Sequence, residues 1–160
     1  MSQAQAQAKL VVRSQLIPLD GMRLVLPNTA IAEVISYQKP EPVADSPAWL
    51  LGTISWRGIE TMPVIAFETA STEALVTPGK SSRIIVLNTL NEHSELHFYG
   101  ILAQGIPRLI SLDDSTIHDA PEIEGQSHDC VLRHTIIDSQ QVIIPDQKAL
   151  EQNLLQLKLA

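Results

Sequence analysis

A single cysteine, Cys130, stands among 160 residues. No intramolecular disulfide can therefore staple the fold, and a reducing compartment suits the chain. Aromatic residues are also scarce, at 4% against 44% apolar overall. The core must come from Val, Ile and Leu, and β-branched side chains pack well on pleated surfaces. Basic residues are few: 11 Lys and Arg face 18 Asp and Glu, a formal net charge of -7. That balance works against nucleic acid, whose phosphates call for clustered Lys and Arg, and against an anionic membrane surface. No apolar run reaches the roughly 18–20 residues a membrane-spanning helix requires. The opening Met1 to Lys9 has no apolar stretch of the secretory kind. A soluble cytoplasmic protein is expected, with no nucleic-acid partner and no direct membrane insertion.

The common catalytic and nucleotide motifs are missing as well. There is no G-x-x-x-x-G-K-[ST], no G-x-G-x-x-G and no G-x-S-x-G, so neither a glycine-rich phosphate cradle nor a nucleophile elbow is written here. Cys130 has His128 and His134 nearby, which permits a Cys/His nucleophilic pair. Its neighbours Val131 and Leu132 favour a small core residue instead. Even spacing on a strand would put positions 128, 130 and 134 on one face, but a zinc site also needs a fourth ligand or an open water position. His93 and His97 have helical spacing in a segment that reads as turn and strand. The acidic residues Asp113, Asp114, Asp119, Glu122 and Glu124 lack the ligand order of a calcium loop. No catalytic residue, metal or cofactor is expected.

What is present is a succession of short aliphatic runs between turn signals. Residues 1–9, rich in Gln and Ala, form a flexible tail, and a single domain spans residues 10–160. Asp20-Gly21 separates Leu16–Leu19 from Arg23–Leu26 and reads as a hairpin turn. Asn28 or Thr29 caps a short helix over Thr29–Val34. The prolines of Gln38–Ala48 make a loop. Strands follow over Leu50–Trp56 and Met62–Phe67, with a polar loop over Thr69–Ser82. Further strands cover Arg83–Leu87 and Leu96–Ala103, and an acidic connection runs from Asp113 to Asp129. The last hairpin joins Val131–Ile137 to Gln141–Ile144. A helix after Pro145 carries Leu150, Leu154 and Leu157 on one face.

The segment Gly52-Thr53-Ile54-Ser55-Trp56-Arg57-Gly58, followed by Pro63-Val64-Ile65, carries the most information. Arg57 sits between two apolar strands beside a glycine that permits a tight turn. A half-buried Arg needs a carboxylate, and Glu33 in the apolar run Ala30–Ile35 is a candidate. Alternatively, Arg57 caps a turn in solvent.

This segment resembles the hallmark stretch of the CheW-like domain, with Gly52, Arg57, Gly58, Pro63, Val64 and Ile65 in matching places. Ile31-Ala32-Glu33-Val34 is similar to the family's Val-x-Glu-Val element. Pro47, Trp49, Leu50 and Gly52 match its lead-in, and Tyr99 to Gln104 resembles a later strand. Two family aspartates are replaced, by Ala66 and Gln104. The resemblance implies a mainly β fold of two small five-stranded β-barrels around a shared apolar core, with the short internal helix and the C-terminal helix. It implies a non-enzymatic adaptor coupling the cytoplasmic tip of a chemoreceptor to the regulatory domain of a CheA-like histidine kinase. The departures fit a divergent member of a type IV pilus or twitching-motility system, cytoplasmic and recruited to membrane receptor arrays. The partner-binding residues it implies are Glu33, Val34, Gly52, Trp56, Arg57 and Gly58, with Glu33 and Arg57 as an ion pair. The rival class is a small-molecule- or metal-binding β-barrel, hydrolytic in one form.

Overall fold

The computed structural model describes residues 10–90, 95–121 and 130–157. The tail assigned to residues 1–9 lies outside them, as do His93, His128, Glu122 and Glu124. Asp20-Gly21 forms the turn its chemistry dictates: Gly21 takes φ +76°, and the Leu19 N–H donates to the Met22 carbonyl at 2.9 Å. This turn joins β1 (Val12–Pro18) to β2 (Arg23–Pro27) in an antiparallel pair. Next come β3 (Ile31–Ser36), β4 (Leu50–Trp56) and β5 (Ile59–Ile65), then helix α1 (Phe67–Thr72). The chain continues through β6 (Arg83–Asn88), β7 (Phe98–Ala103), β8 (Arg108–Leu112) and β9 (Ile117–Asp119). It ends with β10 (Val131–Ile137), β11 (Gln140–Pro145) and helix α2 (Gln147–Gln156).

The fold is mainly β and forms two lobes. One is a five-stranded sheet in the order β3-β6-β7-β5-β4, and the other a six-stranded sheet in the order β8-β1-β2-β11-β10-β9. The sixth strand is β9, which pairs with β10 through Thr135–Asp119 to Ile137–Ile117 inside the stretch that reads as a connection. Consecutive apolar residues along a strand point to opposite faces, so these strands bury both. Leu16, Val25, Ile137 and Val142 fill the six-stranded lobe. Ile54, Met62, Val64, Ile84 and Val86 fill the five-stranded lobe. Their strand neighbours Ile17, Leu24, Ile65, Ile85 and Ile143 turn the other way, into one core shared by both lobes. Helix α2 closes that core with Leu150 and Leu154, and Asp146 caps it by accepting from the Ala149 N–H at 3.1 Å.

The internal helix is not at Thr29–Val34. Asn28–Ala30 is one 3-10 turn, and Ile31 onward is β3, paired with β6. The β-branched Ile31, Val34 and Ile35 favour a pleated surface over a helix, so Glu33 stands on a strand. The internal helix is α1, whose buried Phe67, Glu68, Thr69, Ala70 and Ser71 face the interior. Ala66, at one of the replaced aspartate positions, is its N-cap residue and offers no side-chain hydrogen bond. Among the described residues, no helix is long and apolar enough to cross a membrane.

Candidate functional site

Strands β3 and β4 are the two ends of the five-stranded sheet. They are not ladder neighbours, yet side chains bridge them. Glu33 Oε1 accepts from Arg57 Nε at 3.0 Å and from Trp56 Nε1 at 3.1 Å. The sheet therefore curls far enough for one carboxylate oxygen to tie its two end strands together, a side-chain seam. Arg57 and Gly58 make the two-residue turn between β4 and β5, closed by the Trp56–Ile59 pair. Both have positive φ, +44° and +83°, the requirement of a type I′ hairpin. Glycine meets it freely, whereas Arg57 is a side-chain-bearing residue held in left-handed backbone.

Arg57 also lies over the Trp56 ring, its Cζ 5.4 Å from the centroid, within cation–π range. Phe98 of β7 meets the same ring edge-on, with centroids 4.8 Å apart and planes at 60°. The side chains of Arg57 and Glu33 are 69% and 35% exposed. Such a pair contributes about 0–1 kcal/mol to folding, so its main effect is to orient Arg57. The contact is made through Nε alone, not by the two-point fork that guanidinium geometry allows. Among the described residues, the terminal nitrogens Nη1 and Nη2 of Arg57 make no hydrogen bond. Both alternatives for Arg57 thus hold at once: it occupies a turn in solvent and it pairs with Glu33.

Glu33, Trp56, Arg57 and Gly58 come together, and Phe98 joins them. Val34 does not. It pairs with Ile85 and packs on the shared core, opposite the face of Glu33. Gly52 is buried under the chain that covers the β4 edge. Glu41 exchanges two backbone hydrogen bonds with Thr53, at 2.8 and 2.9 Å. Gly52 has φ +140°, and a Cβ there would lie 2.2 Å from the Glu41 carbonyl oxygen. Its role is this close approach, which also shields an open strand edge.

The other candidates disperse. Cys130 is buried in the shared core beneath α2, where Asn153 Nδ2 donates to its sulfur at 3.9 Å. The pairing of β10 shifts register between Val131 and Arg133, so even spacing no longer keeps positions 130 and 134 on one face. His134 is buried, and His97 is exposed. Asp113 accepts from the Ser115 N–H at 2.8 Å in a local turn, and Asp119 pairs with Arg133 at 3.5 Å on the surface. Two groups remote from the site titrate unusually. Burial pushes the Glu68 carboxyl up, opposed by the Asp20 N–H it accepts at 2.8 Å. Burial likewise pushes the Tyr99 hydroxyl up.

A sequence model of the CheW-like domain matches residues 14–154. Among solved structures, the chain is similar to the crystal structure of the scaffolding protein TtCheW from Thermoanaerobacter tengcongensis. The TM-score is 0.71 at 19% identity, covering 88% of either chain. No curated protein sequence matches.

Proposed function

The chain belongs to the CheW-like domain family, and from that membership we propose that it is a non-enzymatic adaptor. It couples the cytoplasmic tip of a chemoreceptor to the regulatory domain of a CheA-like histidine kinase, in chemotaxis or twitching-motility signalling. It resides in the cytoplasm and is recruited to receptor arrays at the membrane. Its work is to hold partners in register, with no bond made or broken.

One observation carries this reading: a largely exposed Arg side chain fixed at its Nε by Glu33 and at its flank by Trp56, with no hydrogen bond at its terminal nitrogens among the described residues. Arg and Trp are the residue types that dominate protein–protein contacts. A guanidinium already oriented loses little freedom when it meets a partner's carboxylate or backbone carbonyl. The site stands on strand ends, which gives it the stiffness a scaffold needs. Co-elution tests the proposal. The chain, a receptor-tip fragment and the kinase regulatory domain should leave a sizing column as one ternary complex. A chain that elutes alone beside both partners contradicts it.

A further inference from the structure

The β1–β2 turn belongs to the six-stranded lobe but is seated on α1 and on the chain just past β7, which belong to the five-stranded one. Gln104 donates its backbone N–H to the Pro18 carbonyl at 2.9 Å. In α1, Glu68 Oε2 accepts the Asp20 N–H at 2.8 Å, and Ser71 Oγ lies 4.0 Å from Met22 Sδ. Glu68 is only 1% exposed, yet its other oxygen, Oε1, is buried without a hydrogen-bond partner. Such an oxygen costs least while the carboxyl keeps its proton; an interior carboxylate needs donors or a cation. The ion pairs among the described residues, Glu33–Arg57, Arg108–Asp138 and Arg133–Asp119, leave Glu68 out. Glu68 is the one charged residue of α1. The turn opposite adds Asp20, a charge of the same sign that acts on it.

We propose that Glu68 is a proton-controlled joint between the lobes: when it ionises, its side chain moves out to water and the turn at Asp20 and Gly21 lifts from α1, while the shared core stays closed. The core stays because Ile17 and Leu24, on the strands either side, are fully buried in it. Asp20 and Gly21 are already exposed, so the movement uncovers little apolar surface. Burial raises the closed-state carboxyl above the ordinary 4.5, opposed by the Asp20 N–H bond. In the opened state the carboxyl is hydrated and titrates at its ordinary value. Linkage then fixes the sign. The opened fraction is constant below about pH 4.5, rises by up to about tenfold for each pH unit between the two values, and levels off above the closed-state one. The joint involves no residue of the Glu33–Arg57 seam and acts whichever partner the protein serves.

Carbon-detected NMR of the full-length chain reads the Glu68 carboxyl directly, and amide hydrogen exchange reads the Asp20 N–H bonded to it. The Glu68 midpoint should lie above 4.5. Asp20→Asn, which suits the same turn and removes the like charge, should lower that midpoint. Once corrected for base catalysis, Asp20 protection should fall by up to about tenfold per pH unit above about pH 4.5. At every pH it should stay at least about tenfold below that of Ile85 and Val86 in β6, an interior strand of its sheet, because the turn opens without the core. Glu68→Gln keeps an acceptor for the N–H and cannot ionise, so its Asp20 protection should not vary with pH. The proposal is overturned by a Glu68 midpoint at or below 4.5, or by one that Asp20→Asn leaves unmoved or raises. Asp20 protection equal to that of Ile85 and Val86 overturns it too, as does a pH dependence that persists in Glu68→Gln.

Discussion

Glu33 holds two donors with one oxygen, so the two ways of breaking its ion pair are not equivalent. Arg57→Ala removes an exposed pair and should cost about 0–1 kcal/mol of stability. Glu33→Ala also strips the half-buried Trp56 indole of its acceptor and should cost about 1–2 kcal/mol. Urea midpoints should therefore fall in the order wild type, Arg57→Ala, Glu33→Ala; equal losses would count against the indole contact. Glu68 makes stability depend on pH in the acid range. Its carboxyl is raised above the ordinary 4.5, chiefly by burial. The folded state then holds its proton at pH values where the unfolded state has released it. Stability should fall as pH rises from about 4.5 through the folded value. Glu68→Gln keeps an oxygen for the Asp20 N–H and cannot ionise. Denaturation at pH 4 and pH 7 should show a smaller decline for this variant than for wild type, and an identical decline would refute the assignment.

Two hairpins of the fold use the same turn with different residues. Arg57-Gly58 places a glycine at its second position, whereas Asp138 and Ser139, at φ +51° and +63°, have none. Left-handed backbone is costly for a residue bearing a Cβ. Ser139→Gly should raise stability by about 0.5–1 kcal/mol, seen as a higher thermal midpoint; a lower one would contradict the turn assignment. Elements with strong local signals were legible in the sequence. Strand β4 has the bounds Leu50–Trp56 that its apolar run suggests, and Asp146 starts α2 where the cap and the Leu150–Leu154 face point. Other elements were not legible, the short strand β9 inside the acidic connection among them. The cap residues Asn28 and Thr29 serve a single 3-10 turn rather than a helix, and only pairing with β6 reveals β3. Helix α1 buries Glu68, Thr69 and Ser71, and Thr69 and Ser71 read as surface loop until tertiary packing encloses them. The site divides in the same way. Charge pairing pointed to Glu33 and Arg57, but the Trp56–Phe98 contact joins β4 and β7, strands 42 positions apart by residue number, and no local pattern encodes it.

Across the whole molecule, the lobes are bound by one aliphatic core and by backbone and side-chain ties. Gln104 N donates to the Pro18 carbonyl at 2.9 Å, and Asp20 N donates to Glu68 Oε2 at 2.8 Å. The five-stranded lobe is thereby fixed against the six-stranded one, and the Glu33–Arg57 seam is presented on a rigid body. The central claim is that this seam is a surface a partner reads. Calorimetric titration of a receptor-tip fragment into wild type, Glu33→Ala, Arg57→Ala and the double variant tests it most directly. Each single change should weaken binding by about tenfold, and the double by clearly less than about a hundredfold, because Glu33 acts in part by orienting Arg57. Wild-type affinity in all three variants, with the fold intact, would contradict the account.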